Sequence, residues 1–245
     1  MACSARENPP VTKHALLINT EHRDLRVITR RAAAYGDDVM YSLTFPSEFR
    51  NIQAHYPIVF AKSREGAFAP LALFGFREKQ NLFLSDSGWD AHYLPAMHER
   101  QPFLIGNSTT GKVIHIDLDH PRVSRTEGER VFDENGVNTE FLQRMGSILA
   151  GIDEGIASTP AFIAAIQEYN LLESFALDIQ FRDGTQNRFV GFHAIQEDRL
   201  KQLGPEALGK LHSLGFLQSV YMVVASLSNF RDLIERASRL DASQR

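Results

Sequence analysis

Phe175-Ala176-Leu177-Asp178-Ile179-Gln180-Phe181-Arg182-Asp183-Gly184-Thr185-Gln186-Asn187-Arg188-Phe189 is the stretch that decides the fold class. Phe175, Leu177, Ile179 and Phe181 alternate with Ala176, Asp178, Gln180 and Arg182, the period of two that gives a strand one apolar face. Asp183-Gly184 marks a hairpin turn. A two-residue loop would set Arg188 opposite Ile179. A three-residue loop, Asp183 to Thr185, sets Phe189 there and keeps the apolar face intact, so the longer loop is expected. On that register Leu177, Ile179, Phe189 and His193 share one face, which is expected to pack against helices beginning near Asn138, Pro160 and Phe216. So placed, His193 reads as a core histidine that one or two hydrogen-bond partners satisfy.

Helical periods flank this hairpin. After the turn Asp133-Glu134-Asn135-Gly136, Asn138 or Thr139 caps a run with Phe141, Leu142, Met145, Ile148, Leu149 and Ile152 at helical spacing. Thr159-Pro160 opens a second run with Phe162, Ile163, Ile166, Tyr169 and Leu172. Beyond the hairpin, Pro205 opens a short helix, and a longer one runs from about Phe216 to Leu240 with a stripe of Val220, Val223, Val224, Leu227, Phe230, Leu233 and Ile234.

From Leu16 to about Leu118 the pattern differs. Short apolar runs at Tyr56–Ala61, Pro70–Phe76, Asn81–Leu84, Pro102–Ile105 and Lys112–Leu118 read as strands. One short helix over Asp90–Gln101, capped by Asp90, interrupts them. The fold expected is α+β, with a mostly antiparallel, β-rich N-terminal half and with helices and a β-hairpin in the C-terminal half. It forms one domain over 14–240, with tails at 1–13 and 241–245.

A chain of 245 residues buries about 70 to 75% of its unfolded surface, so a real core is available. Seventeen phenylalanines point to an aromatic core. The net charge of −4 offers no basic excess for phosphate backbones, and nucleic acid is not an expected partner. Cys3, the only cysteine, has no partner for a disulfide and suits a reducing compartment. The N-terminal residues lack the apolar run of a secretory signal. The most apolar stretch, Phe216–Leu227, is shorter than the roughly 20 residues that span a bilayer. A cytoplasmic location without membrane insertion is expected.

Gly106-Asn107-Ser108-Thr109-Thr110-Gly111-Lys112-Val113 has the glycine and lysine spacing of a phosphate-binding loop. A strand follows it where that loop needs a helix, so it reads as a turn between strands. His115-Ile116-Asp117 has the spacing of two legs of a non-haem iron triad, with His193 as a third ligand and Arg199 placed to hold a cosubstrate carboxylate. An Fe(II)-dependent hydroxylase is therefore the alternative reading. No serine sits in a nucleophile elbow, no catalytic residue is assigned, and no cofactor is expected.

Residues 81–103 concentrate the only tryptophan with histidines, a tyrosine and an arginine around a turn and a short helix. Amphipathic rings beside a guanidinium suit a recognition surface. Asn81, Trp89, His92, Tyr93, Pro95, His98 and Arg100 are the candidate partner-binding residues. Trp89 and Tyr93 are equally suited to plugging the helix onto the sheet.

The same segment carries a resemblance. Asn81-Leu82-Phe83, Trp89, Tyr93-Leu94-Pro95-Ala96 and Pro102-Phe103 resemble the hallmark of the bacterial SapC family. So do His22-Arg23-Asp24-Leu25-Arg26-Val27, Glu48-Phe49, Tyr56-Pro57-Ile58-Val59-Phe60, Phe132-Asp133-Glu134-Asn135-Gly136 and Gly191-Phe192. The resemblance spans about 14–235. Where the family has arginines and a tyrosine around its P-A helix, this chain has Met97, His98, Glu99 and Gln101, keeping Arg100. The family was named for a link to surface-layer biology and serum resistance, and its members stand beside TonB-dependent receptors and halogenase-like, cupin or JmjC-like proteins. The aromatic clustering in 81–103, with no convincing catalytic constellation elsewhere, leads to the expectation of a non-catalytic intracellular accessory protein that binds a protein or peptide partner, and the family's surroundings place that partner in an envelope, outer-membrane uptake or surface-layer system. A homo-oligomer is among the expected assemblies.

Overall fold

A computed structural model of the chain describes residues 13–109, 111–180, 184 and 186–243. In chain order the elements begin with β1 (His14–Leu16), α1 (Asn19–His22), β2 (Arg26–Val27), β3 (Tyr41–Leu43), α2 (Phe49–Ile52), β4 (Ile58–Lys62) and β5 (Phe68–Leu73). They continue with β6 (Leu84–Ser85), β7 (Gly88–Trp89), α3 (Ala96–Glu99), β8 (Phe103–Ser108), β9 (Gly111–Asp117), β10 (Val123–Ser124) and β11 (Glu129–Arg130). The last are α4 (Glu140–Glu168), β12 (Leu172–Gln180), β13 (Gln186–Ile195), α5 (Glu197–Lys201), α6 (Pro205–Ser213), α7 (Phe216–Ser226) and α8 (Phe230–Ser243). The fold is α+β, its pairings are antiparallel, and its N-terminal half is rich in strands.

The chain divides into two compact units, each assembled from two separated stretches, so no single cut parts them. The first comprises 1–29 and 100–149. It holds the sheets β1-β9-β8 and β10-β2-β11, and a core of Leu25, Val27, Phe103, Ile116, Val131, Leu142, Met145 and Leu149. The hairpin β8–β9 pairs Ser108 with Gly111, so a strand does follow Lys112.

The second unit comprises 30–99 and 150–245 and is built on the sheet β12-β13-β4-β5-β3. Ile58, Val59 and Phe60 are all fully buried, so both faces of β4 are covered. On one face Phe60 meets Phe162 of α4, which in turn meets Phe216 of α7. On the other, Phe189 and Phe175 meet Phe230 at the start of α8, and Phe189 meets Phe76. β13 pairs with β4 only at Phe60 and Ala61. The Ile58 amide, beyond that pairing, donates instead to the Ser226 hydroxyl at 2.9 Å.

The hairpin β12–β13 departs from the expected register. Leu177 pairs with Phe189 and Gln180 with Gln186, a slip of two residues that leaves the faces unchanged. The proposed loop, Asp183 to Thr185, lies outside the described residues apart from Gly184, as does Phe181. The face of His193 does change. Between the pairs Leu177↔Phe189 and Phe175↔Phe192, β13 carries one extra residue, a bulge at Val190-Gly191 with Gly191 at φ +96°. Phe189 and Phe192 therefore stack on one face, 4.7 Å apart. His193 falls on the opposite face, paired with Phe60 and edge-on to Phe68 at 4.9 Å. Its Nδ1 is buried without a hydrogen-bond partner.

Three helix readings are corrected. Pro160 does not open a new helix but lies inside α4, which runs unbroken for 29 residues. Ser158 and Thr159 donate their hydroxyls to Gly155 O, one residue before Ile156, whose carbonyl is the one Pro160 has no amide to serve. The run from Phe216 divides into α7 and α8 at Ser226–Asn229, where Ser226, Ser228 and Asn229 bind Val223 O, Ala225 O and Gln53 O. The N-terminal half has three short helices rather than one, each of four residues and thus too short to show a period. α4 is also the one described helix long and apolar enough by composition to cross a bilayer, a length missed when a break was read at Pro160. Leu142, Met145, Leu149, Phe162 and Ile166 along it are buried in protein.

A Cβ at position 191 would force a side chain into the left-handed region. Gly191→Ala should cost about 1–2 kcal/mol in urea unfolding. Ser226→Ala, which strips the Ile58 amide of its acceptor, should cost about 1–3 kcal/mol and speed hydrogen exchange at Ile58.

Candidate functional site

The segment 81–99 is fastened to the second unit by a chain of hydrogen bonds that starts at a buried carboxyl. Glu48, 7% exposed, accepts from the Thr44 hydroxyl at 2.7 Å, the Tyr93 hydroxyl at 2.9 Å and the Ala96 amide at 2.7 Å. Burial pushes its pKa above the ordinary carboxyl value, although the three donors pull the other way. From Tyr93 the chain continues through its carbonyl, which accepts from the Tyr56 hydroxyl at 2.5 Å. That hydroxyl accepts from Trp89 Nε1 at 2.7 Å. Burial raises the pKa of both tyrosines, so they stay neutral donors.

Most of the candidate recognition residues are occupied in this fastening. Asn81 donates to Asp37 O and accepts from the Phe83 amide. Trp89, half-buried, lies edge-on to Phe74 and tilted against His98. Pro95 and His98 are buried, and Pro95 O accepts the His98 and Glu99 amides that start α3. Arg100, whose pKa burial lowers, donates to Phe103 O in the first unit. His92 is the only one of the seven that is exposed. Asp90, expected as a helix cap, lies well before α3 and pairs with Arg236 instead.

His92 and the outer edge of Trp89 face a groove of about 490 Å³ that is also lined by His55, Phe83, Asp90, Asn229, Asp232 and Arg236. Its floor is the Arg236 guanidinium, 4.4 Å from the centre of the Phe83 ring. Arg236 binds Asp90 Oδ2 and Asp232 Oδ2, each at 2.7 Å. Burial opposes its charge, and the two carboxylates outweigh burial, raising its pKa; Asp90 is lowered by the same contact. On the rim the His55 and His92 rings lie 6.0 Å apart. Desolvation and then His92 lower the His55 pKa.

Sequence reasoning reached Trp89 and His92 but not His55, Glu48, Asp232 or Arg236 as site residues. Asp232 and Arg236 stand four apart on a helix, a legible pair, but nothing in the sequence ties them to Asp90, 146 residues away from Arg236. The iron set is divided. His115 and Asp117 share one face of β9 in the first unit, where the His115 ring covers Gly106, and His193 lies on β13 in the second. Among the described residues no three His, Cys, Asp or Glu side chains gather closely enough to hold a metal ion.

Fold and groove together define an α+β protein with a rigid, ring-lined surface cleft held by buried hydrogen bonds. The SapC family model matches residues 17–233, and the chain belongs to the SapC family. No curated protein and no solved structure matches it.

Glu48 holds its proton more tightly when folded, so its favourable contribution is fully present below the ordinary value of 4.5 and is lost as pH rises through its raised value. Glu48→Ala should cost about 1–3 kcal/mol by leaving three donors without an acceptor. Glu48→Gln, which stays neutral, should gain on the wild type as pH is raised from about 4 to about 8, read from urea midpoints.

Proposed function

We propose that the protein is a non-catalytic, intracellular accessory protein that binds a protein or peptide partner of a bacterial envelope, outer-membrane uptake or surface-layer system. The binding surface is the groove between residues 83–92 and α8. The observation that carries this reading is the division of labour around Trp89. The buried Glu48–Tyr93–Tyr56–Trp89 chain fixes the backbone, which leaves His92, His55 and the Trp89 edge facing outward on a pre-organised surface. Rings held in place lose little conformational freedom on binding, which is what recognition by a small cleft requires.

The charges give the groove a preference. Arg236 is already paired with two carboxylates, and Asp90 and Asp232 are 68% and 46% exposed. A partner segment that brings a lysine or arginine to those carboxylates and an aromatic or proline ring to Trp89 and His92 fits this lining. A lone cysteine suits work in a reducing compartment.

A photo-crosslinking residue placed at His92 in the native cell should capture one dominant protein. The yield should fall sharply in the Asp90→Asn, Asp232→Asn double variant, with folding checked by circular dichroism. A placement at Asp119, on the exposed surface of the first unit, should capture none of it. Equal capture from both placements would overturn the assignment of the groove.

A further inference from the structure

The first unit carries a second cavity, of about 800 Å³, lined by Arg26, Thr29, Gly128, Glu129, Arg130, Thr139, Glu140, Phe141 and Arg144. Two of its arginines are placed where sheet physics disfavours them. Arg26 on β2 and Arg130 on β11 are directly paired across strands, so their side chains leave the same face a few ångströms apart. Like charges in that position repel. Among the described residues neither is discharged by a strong internal partner. Arg26 donates to a main-chain carbonyl, Gly128 O, at 2.9 Å, and Arg130 reaches only Glu134, at 3.8 Å, whose side chain is 87% exposed.

Part of the remaining lining adds to the positive field, against the opposing carboxylates of Glu129 and Glu140. Thr139 caps α4 by accepting from the Leu142 amide at 3.3 Å, while its hydroxyl donates to Arg130 O at 2.7 Å and so ties the helix start to β11. Glu140 and Phe141, the first residues of this 29-residue helix, line the cavity, so the positive end of its dipole lies beside it. Arg144, one turn on, adds a third guanidinium lying 5.9 Å from the centre of the Phe141 ring. The turn that carries Gly128 is pressed against β2: a Cβ there would stand 2.2 Å from Val27 O, at φ +95°. Only glycine brings that carbonyl close enough to steer Arg26.

We propose that this cavity binds an organic phosphate, with Arg26, Arg130 and Arg144 on the phosphate oxygens beside the positive end of α4. Three guanidinium forks converging beside a helix start match tetrahedral oxyanions better than planar carboxylates, and an anion removes the repulsion between Arg26 and Arg130. The cavity is larger than a phosphate alone, and the Phe141 ring offers a wall for the remainder of the ligand. Glu129 and Glu140, which also line the cavity, favour one or two phosphates over a long polyanion.

The test titrates the full chain with inorganic pyrophosphate by calorimetry and, in a second arm, with vesicles containing phosphatidic acid. Pyrophosphate should bind saturably and raise the melting temperature. Arg130→Gln and Arg144→Gln should each weaken binding about tenfold or more, and Arg125→Gln, in the nearby exposed turn, should leave it unchanged. Without pyrophosphate, Arg130→Gln should melt no lower than the wild type, because the opposed pair is relieved. Binding confined to the vesicles and lost in the same two variants supports the same chemistry, with a lipid headgroup as its source. Binding of neither probe, undiminished binding in both variants, or an equal loss in Arg125→Gln overturns the proposal.

Discussion

Three consecutive residues of β4, Ile58, Val59 and Phe60, are fully buried, and successive strand residues point to opposite faces. The second unit must therefore cover both sides of its sheet. Phe162 and Phe216 cover one side and Phe230 and Phe76 the other, through one stacked and three edge-on aromatic contacts. Covering both faces also leaves a strand with no water to bond to, which makes every main-chain amide a debt to be settled inside. Where β13 stops pairing, the Ser226 hydroxyl takes over at Ile58. The break between α7 and α8 falls at that serine, so the same few residues turn the helix and complete the ladder.

A second constraint follows from the first. With apolar groups filling both faces, the segment 81–99 has to be attached by polar contacts that are themselves dry. Glu48 serves as the acceptor for three donors at once, and the tyrosine hydroxyls pass the attachment on to Trp89. Half-satisfied buried networks are costly, whereas a filled one makes its members rigid. The groove gains its definition from this rigidity, since its own charged residues are held by partners on two different elements, Asp90 before α3 and Asp232 on α8.

Much of the fold was legible because it rests on period. The alternation from Phe175 to Ile179, most of the apolar runs before Leu118 and the helical stripes after Asn138 gave the right kind of element, whereas Asn81–Leu84, read as a strand, is a turn that becomes strand only at Leu84. What escaped were features set by a single residue against the trend. Pro160 reads as a helix start, yet it is exposed and α4 continues past the one amide bond it cannot make. Gly191 reads as one more strand residue, yet its positive φ inserts a bulge and moves His193 to the other face. The site was half legible. Trp89 and His92 stand out as residue types, but the acid that anchors them and the arginine that floors the groove are ordinary residues made special by distant neighbours. The opposed Arg26 and Arg130 were invisible for the same reason, since only the pairing of β2 with β11 brings them together.

β12 is the outermost strand of the five-stranded sheet, nine residues long, with one row of main-chain groups not used by β13. Long free edges of this kind invite a neighbouring chain to add itself as another strand. Glu173, Ser174, Ala176, Asp178 and Gln180 are exposed along it, and in a parallel, in-register stack of identical molecules the two carboxylates would meet their own copies. The hairpin thus carries a guard against fibrillar stacking of that kind, with Asp178 in the polar half of the same alternation whose apolar half builds the core.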